Sequence, residues 1–203
     1  MKLIITEGGD RLGKSTLIEG LCRHFNYDNV TIRHFGKPPK TLTSEETLKF
    51  QFSAFNKEMK LFDRIYTRSI DTYTYYPEIM IWNRSHLGEY VYSQMFRNGN
   101  PEVLRNMLCE YERGFISHDV YLITLTADSN FFNTRESDGN ELSKTLDQKT
   151  KELELFKEAH EFSTITNKHL LRVDQQITEL YYTGPTEFRP KEDILKEVID
   201  FIK

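Results

Sequence analysis

Gly8-Gly9-Asp10-Arg11-Leu12-Gly13-Lys14-Ser15 is the stretch on which the reading of this chain turns. The string satisfies G-x-x-x-x-G-K-[ST] at every fixed position. Glycines at these places let backbone N–H groups turn inward around phosphate oxygens, and the start of a following helix adds its partial positive charge. In that chemistry Lys14 bridges the β- and γ-phosphates of a nucleotide such as ATP, and the Ser15 hydroxyl ligates Mg²⁺. The context that supports such a loop is a strand before it and a helix after it. Residues 2–6 (KLIIT) form a short β-branched run, and residues 14–25 space Leu17, Leu21 and Phe25 four apart, a helix period.

Further along, residues 30–35 (VTIRHF), 78–82 (EIMIW), 119–126 (DVYLITLT) and 170–173 read as four more strands. Residues 44–64 and a continuation to about 75 read as helical, with Leu48, Phe52, Phe55, Met59 and Phe62 on one stripe. Helices are also expected over 87–97, 102–115, 146–162 and 191–202. Strands alternating with helices imply one α/β domain over residues 1–203, of the three-layer P-loop NTPase type, with a five-stranded parallel sheet flanked by helices. Ligands in such sheets collect at the carboxyl ends of the strands.

Bulk properties narrow the partners. A net charge of −4 argues against a nucleic-acid surface, so small-molecule nucleotides are the expected ligands. No apolar run reaches the ~18 residues of a membrane span, and residues 1–6 carry no cleavage-site pattern. Cys22 and Cys109 make neither a disulfide framework nor a metal pair. A cytoplasmic location is the expectation from these features.

The longer string Glu7-Gly8-Gly9-Asp10-Arg11-Leu12-Gly13-Lys14-Ser15-Thr16 resembles the thymidylate kinase family, whose phosphate loop reads E-G-x-D-x-x-G-K-[ST]-T. That resemblance implies residues 8–16 as the ATP site, with Asp10 also touching the 3′-hydroxyl of the acceptor. It implies Arg11 on the transferring phosphate, where a cation stabilises charge in flight. Asn83-Arg84-Ser85 falls where the family has Asp-Arg-x, so Arg84 is expected to clamp the acceptor's phosphate bidentately. Arg11, Lys14 and Arg84 are thus the expected catalytic set. Asn83 replaces a metal-proximal Asp and offers Mg²⁺ only a carbonyl, through water. Tyr92 lies where the family has an aromatic beside the base, and Gly88 where Ser or Thr is usual.

Phe52-Ser53-Ala54-Phe55-Asn56-Lys57-Glu58 is similar to the family's F-[SAT]-A-x-R-x-E helix. Phe52 is expected to stack on the acceptor's base or, alternatively, to be a core aromatic. Asn56 stands where the family's base-reading Arg would be, which leaves the base open. Phe35-Gly36-Lys37-Pro38 resembles the family's F-P-x-R turn, with Lys37 as the cation toward the acceptor phosphate or a plain surface lysine. Residues 130–143 are read as a lid over ATP, with Arg135 stacking on adenine or touching phosphate.

The resemblance therefore implies ATP- and Mg²⁺-dependent phosphorylation of a deoxynucleoside monophosphate: dTMP, dUMP or a 5-modified pyrimidine. A homodimer through helices within 46–76 and 87–97 is expected on the same ground. Two rival readings stand beside it. A deoxynucleoside kinase generally needs a carboxylate base after the second strand, where His34-Phe35-Gly36-Lys37 has none. An inactive nucleotide-binding module is the other, because of Asn83. A GTPase is excluded by Leu170 in Asn167-Lys168-His169-Leu170, since leucine cannot accept guanine's hydrogen bonds.

Overall fold

Strand β1 (Lys2–Gly8) is the centre of the structure, and its burial on both faces explains its uninterrupted apolar run. The computed structural model describes residues 1–39, 41–71, 78–116, 118–132, 142–179 and 182–203, the side chains of residues 69–71, 176–179 and 182–185 aside. Around β1 lie β2 (Val30–His34), β3 (Ile79–Asn83), β4 (Val120–Thr126) and β5 (Asn167–Arg172). They form one five-stranded sheet in the order β2-β3-β1-β4-β5, every pairing parallel. The register sets Thr6 beside Asn83 and Gly8 beside Leu125, so the phosphate loop and the end of β3 emerge together at one edge.

Alternation along the strands divides the core into two layers. Ile4, Ile81 and Ile123 face α1 (Lys14–Phe25) and α6 (Lys191–Ile202), packing on Leu17, Leu21, Val198 and Ile202. Leu3, Ile5, Met80, Trp82 and Leu122 face the other way. There they meet α2 (Ser44–Asp71), α3 (His86–Arg97), α4 (Pro101–Glu112) and α5 (Leu146–Phe162). The expected five-stranded parallel sheet flanked by helices is the observed one. Among the described residues no helix is long and apolar enough to cross a membrane.

Helix ends follow local chemistry. Asn100 caps α4 by accepting from Glu102 N (3.0 Å) and Val103 N (3.1 Å), with Pro101 at the first helical position. Thr145 and Gln148 close a capping box on α5.

The structure corrects one strand boundary, adds a strand pair and describes part of the segment expected as a lid. The fifth strand begins at Asn167 and ends at Arg172, rather than spanning 170–173, because an edge strand can carry polar, half-exposed residues through backbone pairing alone. An antiparallel pair absent from the sequence reading, β6 (Asp174–Glu179) and β7 (Tyr182–Phe188), follows it. Its polar residues and Pro185 give a weak strand signal. Of the segment 130–143 read as a lid, Asn130–Phe132 belong to a 3₁₀ turn (Ser129–Phe132) whose phenylalanines are buried. Residues 133–141, Arg135 among them, lie outside the described residues, as do 72–75 of the expected helical continuation.

Candidate active site

The phosphate loop is held by close backbone packing. A Cβ at Gly8 (φ +128°) would meet Leu125 O at 2.6 Å, so only glycine lets β1 turn away beside β4. Leu12 is fully buried in the core and anchors the loop from below. Arg11 (φ +66°) and Gly13 (φ +83°) take left-handed conformations that curl the backbone toward the start of α1. Lys14 folds back over the loop, its Nζ donating to Gly8 O (2.7 Å) and Gly9 O. Burial, and next the nearby Arg84 guanidinium, pull the Lys14 ammonium down to about 8, against the opposing pull of Asp10, Glu152 and Glu7.

From the end of β3, Arg84 turns into the same space. Its backbone is left-handed (φ +65°) and its N–H donates to Thr6 O (2.9 Å), which fixes the turn onto β1. Its guanidinium pairs with the Asp10 carboxylate, and Asp10 Oδ2 also accepts from Leu142 N (3.3 Å). A cavity of about 390 Å³ results, lined by Asp10, Arg11, Lys14, Ser15, Thr16 and Arg84, and by Phe188. Three cations from two separate chain segments thus converge on one small volume, an arrangement suited to phosphate oxygens.

Oxygen donors for Mg²⁺ are limited but of the right kind. Ser15 lines the cavity, and Asn83 Oδ1, next to Arg84 in sequence but outside the cavity's lining, is buried at the end of β3 with no hydrogen-bond partner. A hydroxyl and an amide carbonyl suit a hard, water-retaining cation. Among the described residues no group of three His, Cys, Asp or Glu side chains gathers as a metal cage.

The acceptor-side residues divide. Tyr92 donates its phenol proton to Glu152 Oε1 (2.6 Å) on α5, and Glu152 in turn lies 3.3 Å from where a Cβ on Gly9 would stand. Gly88 sits against the Tyr92 ring and the Glu7 carboxylate, a Cβ there meeting them at 3.6 and 3.7 Å. Tyr92 and Gly88 are therefore brought to the phosphate loop through Glu152 and Glu7. Phe52 and Asn56 are not. They line a separate groove of about 840 Å³ along α2 and against Met107, in which no residue of the phosphate loop and no Arg84 takes part. Half-buried Phe52 packs edge-on against Phe55 (5.7 Å) and Tyr111 (5.9 Å), and Asn56 is exposed. Lys37 is exposed beyond β2.

Sequence reasoning missed several buried groups here. Glu7 is fully buried, accepts from Leu87 N (3.1 Å) through Oε1, and leaves Oε2 without a partner. Burial pushes its carboxyl up, against the pull of His86, Lys14 and Arg84. Its place at a strand end before two glycines was the available signal. Glu152 is raised chiefly by burial and has no sequence signal, because its partner Tyr92 is on another helix. His86 hydrogen-bonds Ser85 Oγ (2.9 Å) and Glu112 Oε1 (2.7 Å), behind the Arg84 turn.

No protein-family model matches this sequence, and no curated protein does. Solved structures do. The YorR protein of Bacillus subtilis, solved with phosphorylated GDP, matches at TM-score 0.63 and 18% identity over 98% of this chain and 95% of that one. Thymidylate kinase from Candida albicans matches at TM-score 0.60 and 14% identity, over 98% and 90%. Deoxyadenosine kinase from M. mycoides matches at TM-score 0.52 and 12% identity, over 98% and 97%. The likeness shows the fold, that of thymidylate-kinase-like P-loop kinases.

Proposed function

We propose that this chain transfers the terminal phosphoryl group of ATP, with Mg²⁺, to a deoxynucleoside monophosphate: dTMP, dUMP or a 5-modified pyrimidine. One observation carries the reading. Arg84 reaches from the end of β3 into the phosphate-loop cavity, which Lys14 also lines, and pairs with Asp10. A phosphate loop alone accounts for a bound donor. A second cationic arm aimed at the same volume supports a second phosphate, the one that attacks.

The residues then divide the work. Lys14 exchanges the carbonyls of Gly8 and Gly9 for donor phosphate oxygens, and the charge it gains there offsets its burial. Arg84 exchanges Asp10 for the acceptor phosphate, holding it in line, and the released Asp10 carboxylate accepts from the acceptor's hydroxyl. Arg11 stabilises the transferring group. Were Mg²⁺ bound, Ser15 would serve as a ligand and Asn83 would hydrogen-bond its water shell, and the ion would supply charge that neutralises the phosphates.

The test is ADP release across natural and 5-modified deoxynucleoside monophosphates, with the matching nucleosides as controls. ADP release that needs an added monophosphate is expected. Release with nucleosides alone points to the nucleoside kinase, and ATP binding without turnover on any acceptor points to an inactive module.

A further inference from the structure

The antiparallel pair β6–β7 ends in Phe188, and the position of this ring has a consequence for the donor nucleotide. Phe188 lies on the wall of the phosphate cavity and also lines a second cavity of about 660 Å³ between α1 and α6. The lining of that second cavity joins Leu12, Leu17, Val173 and Leu195 to charged side chains on both helices, Arg23 and Glu192 among them. The ring therefore stands at the boundary of the two spaces. A nucleotide whose phosphates occupy the cradle and whose nucleoside occupies the larger cavity would pass this ring.

Its placement is fixed on several sides. The ring packs edge-on against buried Phe131 at 4.8 Å. A Cβ at Gly13 would come within 3.6 Å of Phe188 Cε1, so the glycine leaves room for the ring above the loop. The next residue locks the strand end: Arg189 N donates to Val173 O (2.9 Å), and its guanidinium holds Arg172 O (2.7 Å) and Glu197 (2.6 Å). An aromatic held this rigidly needs little ordering when a ligand arrives.

We propose that Phe188 is a donor-recognition residue: its ring takes the sugar–base part of the nucleotide at the passage from the phosphate cradle to the cavity between α1 and α6. The assignment rests on the Gly8–Ser15 loop being the donor site.

Calorimetric titration of the full-length chain with MgATP and with magnesium tripolyphosphate tests it. Phe188→Ala and Phe188→Leu are expected to weaken ATP roughly 5- to 100-fold, the span of one base stacked on an aromatic ring, and to leave tripolyphosphate within about twofold. Leucine keeps an apolar side chain against Phe131, so lost ATP affinity at an unchanged unfolding temperature separates recognition from folding. In turnover, KM for ATP rises while KM for the acceptor holds. Equal weakening of both ligands, or ATP affinity unchanged in both variants, overturns the assignment. The kinase reading fails separately: wild-type protein that binds ATP yet releases no ADP with any acceptor sinks that reading and leaves this one standing.

Discussion

At the scale of single residues, the charges of the cradle set the chemistry. Arg84 offers a planar fork from a backbone turn that a hydrogen bond to Thr6 O holds in place. Arg84→Lys keeps the charge and loses the fork, so kcat/KM for the acceptor is expected to fall about 10²- to 10³-fold, the range seen for one charge-stabilising donor. Initial-rate kinetics with acceptor varied check this, and a loss confined to KM for ATP argues against the acceptor role. Lys14 has a second consequence. Because burial and Arg84 bring its ammonium down to about 8, the free protein loses that charge as pH rises through this value. The ratio kcat/KM for ATP reports groups on the free enzyme, so it is expected to decline above about pH 8. A profile flat to pH 9.5 contradicts it. Asn83 is the third case, with an amide oxygen buried and unpaired at the end of β3. Asn83→Asp adds a charge there, and the Mg²⁺ concentration for half-maximal rate is expected to drop. The metal role falls if that variant lowers activity with its Mg²⁺ dependence unchanged.

At the scale of elements, the Arg84 turn is braced from behind by a buried polar network. Glu112 at the end of α4 accepts from Ser163 Oγ (2.7 Å), Thr164 Oγ1 (2.9 Å) and Thr164 N, and hydrogen-bonds His86 at the start of α3. Burial alone pushes this carboxyl up, yet His86 and the hydrogen bonds more than offset it and leave it below the ordinary 4.5. A group lowered on folding stabilises the protein above its unfolded pKa, and that contribution is lost as pH falls through the folded one. Glu112→Gln is expected to cost about 3 kcal/mol or more near neutral pH, because it leaves buried partners unmatched. The same variant flattens the acid limb of stability below about pH 4.5, since the titrating group is gone. Urea unfolding at pH 7 and pH 4 measures both, and equal midpoints for variant and wild type at pH 7 rule the network out as a brace. The strand pair β6–β7 shows the opposite case at this scale. Its residues carry little apolar alternation, and only pairing with each other and closure on Val173 bring Phe188 to the phosphate loop.

At the scale of the whole molecule, association is a proposal resting on the family resemblance. A homodimer through α2 and α3 is expected to give equilibrium sedimentation at twice the 24.1 kDa chain mass, and a single-chain species alone overturns it. The layered fold was legible in the chain because its signals are short in range. A parallel strand buried on both faces reads as an apolar run, and a phosphate loop is made by consecutive backbone groups. Residues 2–25 therefore declare the first strand, loop and helix unaided, and Arg84 declares itself by following another such strand. Side-chain partnerships across elements did not read out. Tyr92 meets Glu152, Glu7 faces Gly88 and Phe188 overhangs Gly13 only after the helices and β7 pack. Phe52 and Asn56 stand four residues apart on α2, and a helical period says which residues neighbour one another on a helix without saying which cavity they line. The sequence by itself determined the glycine-rich loop and the parallel sheet that carries it, through local backbone chemistry and burial periodicity. Only the tertiary structure decided which distant side chains share the cradle, because that depends on how whole elements pack rather than on any neighbouring residue.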